Sequence, residues 1–213
     1  MRPTPMLKRL PMALAAGLAL VGLSVAPASA APTPLTFACQ ANPPVGGAQT
    51  FDVSSGVSGT APASVASGED FEATLAPAPI TVPGSVSGYA VRNISNIKLT
   101  MPVPAHATLT GASLFGGSGL GSGVPSLAVS GGDIIMTVPG PISGGSTFTL
   151  PSVNLDLKAG APGSSITVQL AGTSYASPGL TFNASVTVIF FPVSVPTSCF
   201  PSPNPVLSTT TVD

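Results

Sequence analysis

The stretch LTFNASVTVIFF, residues 180–191, carries the clearest structural statement in the chain. Leu180, Phe182, Ala184, Val186, Val188 and Phe190 fall on one side of an extended backbone, with Thr181, Asn183, Ser185 and Thr187 on the other. A side-chain period of two belongs to a β-strand, so the pattern predicts a strand with one apolar and one polar face. Ile189 and Phe191 make both faces apolar at the far end. That predicts a central strand covered on both sides where it finishes.

The same alternation recurs outward from this segment. Phe71, Ala73 and Leu75 share a face, as do Ile97, Leu99 and Met101, then Ile134, Met136 and Val138, then Val153, Leu155 and Leu157. Turn pairs such as Ser67-Gly68, Pro83-Gly84, Gly131-Gly132 and Pro162-Gly163 separate these runs. With 25 prolines and 24 glycines in 213 residues, a long helix has few places to form, and no segment beyond residue 30 shows helical spacing with caps. Many short, punctuated strands predict an all-β fold, an Ig-like antiparallel β-sandwich. No low-complexity linker divides residues 31–213, which read as a single domain ending in a Pro-rich C-terminal tail over 201–213.

The first thirty residues read as a processing segment. Arg2, Lys8 and Arg9 precede the apolar run 11–26, and Ala28-Ser29-Ala30 supplies a small-residue cleavage motif before Ala31. This is the pattern of a secretory signal peptide, and the apolar run is too short for a membrane anchor. The expected product is secreted or extracellular, either released or associated with the cell envelope, with no transmembrane segment after cleavage. Three basic residues then face seven acidic ones, a formal balance of −4. Such a surface lacks the positive footprint that neutralises phosphates, so nucleic acid is not an expected partner.

Cys39 and Cys199 are the two cysteines. In an exported chain an even pair reads as one disulfide. No lipobox precedes Cys39, where Thr36-Phe37-Ala38 stands instead.

Familiar chemistry finds little support. LFGGSGLGSGVPS (114–126) is rich enough in glycine to suggest a phosphate cradle. It fits no G-x-G-x-x-G spacing, Val124-Pro125 stands where a P-loop places Lys-Ser/Thr, and the following SLAVS reads as a strand. The expectation is a mobile connection whose shortening leaves the fold nearly unchanged. His106 is the sole histidine and has no Gly-x-Ser-x-Gly partner, so it reads as a turn residue. One imidazole and two oxidised thiols make no zinc site. Glu69, Asp70 and Glu72 form the one acidic cluster, a candidate calcium or carboxylate site, but no Asp-x-Asp-x-Asp-Gly loop accompanies them. No cofactor is expected. The absence of Trp, with Tyr89 and Tyr175 the only tyrosines, fits neither a sugar-stacking site nor the aromatic girdles of a membrane barrel.

The runs VASGEDFEATLAP, NISNIKLTMPVPAHATLTGAS and GGDIIMTVPGPISGGSTFTLPSVNLDLKAG resemble bacterial surface Ig-like modules in the spacing of their turns and strands. The region from residue 31 onward, including FACQANPPVGGAQTFDV and VPTSCFPSPNPVLSTTT, is similar to secreted actinobacterial proteins of unknown function, some of which go under the name cyclase. Neither resemblance supplies a catalytic motif. The expectation is a non-catalytic binding or structural module of the envelope or extracellular space. Two alternatives stand beside it: a carboxylate-based enzyme using Asp70, Glu72 and His106, and a carrier of an apolar ligand between the sheets.

Overall fold

Residues 180–191 form the start of a hairpin and not one strand. Leu180–Val188 pairs antiparallel with Phe191–Pro201, from Leu180 opposite Cys199 to Val188 opposite Phe191. The expected centrality holds, since Leu180–Val188 also pairs with Tyr89–Pro102 on its other side. The expected cover at the far end does not. Phe191 opens the returning arm and is 72% exposed, while Ile189 lies outside the described residues.

The computed structural model describes residues 31–44, 46–188 and 191–213, so the expected signal segment lies outside the described residues. In chain order the strands are β1 (Thr33–Ala41), β2 (Gln49–Thr60), β3 (Ser64–Val65), β4 (Asp70–Pro77), β5 (Ile80–Thr81) and β6 (Ser85–Val86). There follow β7 (Tyr89–Pro102), β8 (Ala107–Phe115), β9 (Ser126–Ser130), β10 (Asp133–Val138), β11 (Ile142–Ser143) and β12 (Thr147–Phe148). The last are β13 (Ser152–Ala159), β14 (Ser165–Val168), β15 (Leu180–Val188), β16 (Phe191–Pro201) and β17 (Ser208–Val212). Among the described residues there is no helix.

The architecture is an all-β sandwich, as an Ig-like reading expects, and it is made largely by one sheet folded on itself. The main path runs β8-β13-β4-β2-β1-β16-β15-β7-β10-β9, with β6 and β11 also pairing to β7. All of these pairings are antiparallel. The two end strands, β8 and β9, approach each other, so the sheet curls almost into a barrel. Right-handed strand twist supplies the sense of curl, and burial of one apolar face supplies the drive.

Alternation places the core. Leu35, Phe37 and Cys39 of β1, Phe71, Ala73 and Leu75 of β4, Ile134, Met136 and Val138 of β10, and Val153, Leu155 and Leu157 of β13 all point inward into one cluster. Each fully buried side chain of this kind contributes about 1.5–3 kcal/mol relative to exposure.

The C-terminal segment is not a tail. After Pro201–Pro205 the chain turns back, and β17 pairs antiparallel with β14 and parallel with β3. Leu207 and Val212 join the core, while Thr210 is buried and its hydroxyl donates to the Pro62 carbonyl at 2.8 Å. Prolines at 201, 203 and 205 masked the short TTTV alternation in sequence, because they delimit the strand without extending into it.

The glycine-rich run is likewise fastened, against the expectation of a mobile connection. Residues 116–125 cross from β8 to β9 over the ends of the fold. Ser118 and Thr149 exchange two backbone hydrogen bonds of 2.9 Å, and the Gly123 N–H donates to the Gly140 carbonyl at 3.2 Å. Leu120 packs against the core. Gly121 has φ +79° and passes so close to the Pro141 carbonyl that a Cβ would collide with it. These glycines are needed for close approach and a left-handed backbone, not for freedom.

Candidate functional site

Five consecutive strands of the main path, β2, β1, β16, β15 and β7, bend so that their inner faces look toward a common space. Side chains from the two outermost of them, Phe51 on β2 and Val91 on β7, line the same cavity. Flat strands that far apart could not do this, since neighbouring strands stand ~4.8 Å apart. The cavity measures about 460 Å³. Its walls are Ala184, Val186 and Val188 from β15, Val193 and Val195 from β16, Val91 and Tyr89 from β7, and Val86 from β6. Pro43 and Pro44 lie in the β1–β2 connection, Gln49 opens β2, and Ser87 lies at the β6–β7 turn.

A smaller space of about 70 Å³ lies beside it along β15. Phe51, Val86, Val91 and Ala184 border both, so an outer and an inner chamber adjoin at these four side chains, termed the throat. The inner chamber is walled by Val53, Ile80, Val82, Ile94, Ile97, Phe148, Leu150, Leu180 and Phe182. Its side wall is the chain between β4 and β7, which is tied in place at several points. β5 pairs with β12, Thr81 and Thr147 share a hydroxyl hydrogen bond of 2.9 Å, and the Val82 N–H donates to Ser146 at 2.9 Å. Together the chambers run the length of β15's inner face, from Leu180 to Val188, roughly 27 Å at the usual strand rise.

Two features keep the faces apart. The β7–β15 ladder shifts register twice, between Ser185 and Val186 and between Thr181 and Asn183, with Asn96 at φ 51°. Bulges of this kind bend a strand and sharpen its twist. At the throat, Ala184 presents only a methyl group between Phe182 and Val186 of the same strand face. Among the described residues, no charged side chain lines either chamber. Of the polar groups, Thr197 is 2% exposed, and its hydroxyl turns back to the Val195 carbonyl at 3.4 Å. The remainder, Gln49, Ser87 and the Tyr89 hydroxyl, stand at the outer chamber, whereas the inner chamber has Thr81 alone.

The disulfide sits next to this space. Cys39 and Cys199 are bonded, face each other across β1 and β16, and are fully buried. Phe51 is the register partner of Cys39, and Leu180 that of Cys199, so the bond braces strands that form the cavity wall.

The acidic residues lie elsewhere and do not converge. Asp70 and Glu72 occupy the outward face of β4, where Asp70 meets Lys158 at 3.2 Å and Glu72 stands opposite Asp156 of β13. Glu69 belongs to the preceding turn, its carboxylate accepting from the Ala66 N–H at 2.9 Å. Among the described residues, no three His, Cys, Asp or Glu side chains assemble as metal ligands. His106 is exposed in the β7–β8 turn at φ 64°, where its carbonyl accepts from the Gly160 N–H. The Gly160 carbonyl also accepts from the Ser67 hydroxyl, which places His106 at the same end of the sheet as the Glu69 turn, and among the described residues no hydrogen bond or ion pair joins it to a carboxylate.

Sequence reasoning named the possibility of a cavity but none of its lining residues as a site. Alternation in 180–188 marks which side chains face inward; it carries no information on how far the opposing wall stands off.

No protein-family model matches the chain, and no curated protein does. Among solved structures the fold is similar to a Corynebacterium diphtheriae protein described as "Putative membrane anchored protein", with a TM-score of 0.56 and 19% sequence identity. The match covers 85% of this chain and 37% of that one, so this chain spans a little over a third of its neighbour's length. At that identity the likeness concerns the fold.

Proposed function

We propose that this protein is an exported, non-catalytic β-sandwich module of the cell envelope or extracellular space that binds an apolar small molecule in the chambered cavity along β15. The observation that carries this is the cavity itself, about 460 Å³ with mostly apolar walls. Protein interiors normally leave few voids larger than a water molecule, and cavities of ~300–1,000 Å³ are the size class of small-molecule sites. Transfer of an apolar ligand out of water into such a space is favourable by about 25 cal/mol per Å² of surface buried. The disulfide, and the description of the structural neighbour as membrane anchored, support an envelope or extracellular setting.

The test is a fluorescence titration with N-phenyl-1-naphthylamine, an uncharged apolar dye, on the disulfide-bonded protein. Saturable binding at one site is expected. Ala184→Phe fills the throat, and at least a tenfold loss of affinity is expected of that variant with its circular dichroism unchanged. Absence of saturable binding would overturn the proposal.

A further inference from the structure

The two chambers differ in chemistry, and the difference specifies a ligand class. The inner chamber presents Ile94, Ile97, Phe148, Leu150 and Phe182 and offers a ligand no buried hydrogen-bonding group other than at Thr81 on its margin. Polar groups gather at the opposite end, where Gln49, Ser87 and Tyr89 stand about the outer chamber. Tyr89 is half exposed, which places the β6–β7 turn at the open side. A molecule filling both chambers therefore meets hydrogen-bonding groups at one end and hydrocarbon at the other.

We infer, building on the apolar-ligand reading above, that the occupant is a single-chain amphiphile with an uncharged, hydroxyl-bearing head. Its tail passes the throat into the inner chamber, and its head remains among Gln49, Ser87 and Tyr89. The chain is single because the inner chamber, about 70 Å³, is far smaller than the outer, about 460 Å³. The head is uncharged because no Lys, Arg, His, Asp or Glu among the described residues lines either chamber. A buried or half-buried ion needs a partner of opposite charge, and without one its desolvation opposes binding. An amide, a hydroxyl and a phenol instead both donate to and accept from hydroxyl groups.

Isothermal titration with three ligands of equal tail length, each below its micelle concentration, tests this: monodecanoylglycerol, decanoate and decyltrimethylammonium. The neutral ligand is expected to bind at least tenfold more tightly than either ion, and Gln49→Leu is expected to narrow that preference with its circular dichroism unchanged. A preference of less than tenfold, or a preference for either ion, overturns the uncharged head while the dye result leaves the apolar cavity standing. Failure of the dye and all three amphiphiles to bind overturns both.

Discussion

At the scale of single residues, the glycines of 116–123 and the acids of β4 reverse the weight that composition gives them. Gly121 looks like part of a permissive loop, yet its φ of +79° and its approach to the Pro141 carbonyl leave no room for a Cβ. Gly121→Ala is expected to destabilise the fold by at least about 1–3 kcal/mol from backbone strain alone, read as a lower urea midpoint at unchanged slope. A variant as stable as the parent would show that the crossing segment is not fastened. The Asp70–Lys158 pair is the contrasting case, with side chains 71% and 49% exposed. Asp70→Asn should shift stability by less than ~1 kcal/mol, since water and salt screen such pairs. Thermal unfolding measures it; a larger loss would give the outward ladder a role that its exposure does not suggest. Close approach between glycine and a distant carbonyl is a tertiary fact, which explains why sequence excluded a phosphate loop on motif grounds but missed the packing of the same residues.

At the scale of elements, the disulfide and the last strand set how the sandwich is held shut. Cys39 and Cys199 were legible as a pair from their number and the expectation of export, but their register was not. They are direct cross-strand partners, separated by 160 residues of sequence, and fully buried. Closing so long a loop is worth at most about 5 kcal/mol in the chain-entropy argument. Because burial alone would protect free thiols, the informative alkylation is done in denaturant without reductant, where no iodoacetamide adduct is expected. Reduction should then lower the melting temperature while the β-sheet circular dichroism below it persists, since β1 also pairs along its length with β2. Two adducts in unreduced, unfolded protein would contradict the pairing. Removal of residues 206–213 tests β17 in the same spirit. It uncovers β14 and β3 and takes Leu207 and Val212 from the core, a loss of roughly 3–6 kcal/mol for two buried aliphatic side chains. Urea unfolding of the truncated chain is expected to show it, and an unaltered midpoint would make the segment the dispensable tail that its prolines imitate.

At the scale of the whole molecule, the all-β class and the inward faces were legible because alternation is a local property. Leu180 through Val188, Phe71 through Leu75 and Ile134 through Val138 all face as their spacing dictates. The curl of one sheet into two packed halves was not legible, because it depends on the order of pairing: β1 lies between β2 and β16, joining the two ends of the chain. The cavity was illegible for the same reason. Its walls come from five adjacent strands, and its volume depends on the register shifts of β7 against β15. Methyl-resolved NMR of the disulfide-bonded protein, titrated with monodecanoylglycerol, reads occupation of that space residue by residue. Shifts are expected at Val86, Val91, Val186, Val193 and Val195, with Leu155, Leu157 and Val168 in the remaining core unmoved. Shifts scattered over the surface, or none among the valines of β15 and β16 at saturating ligand, would contradict an apolar ligand site between the faces of this fold.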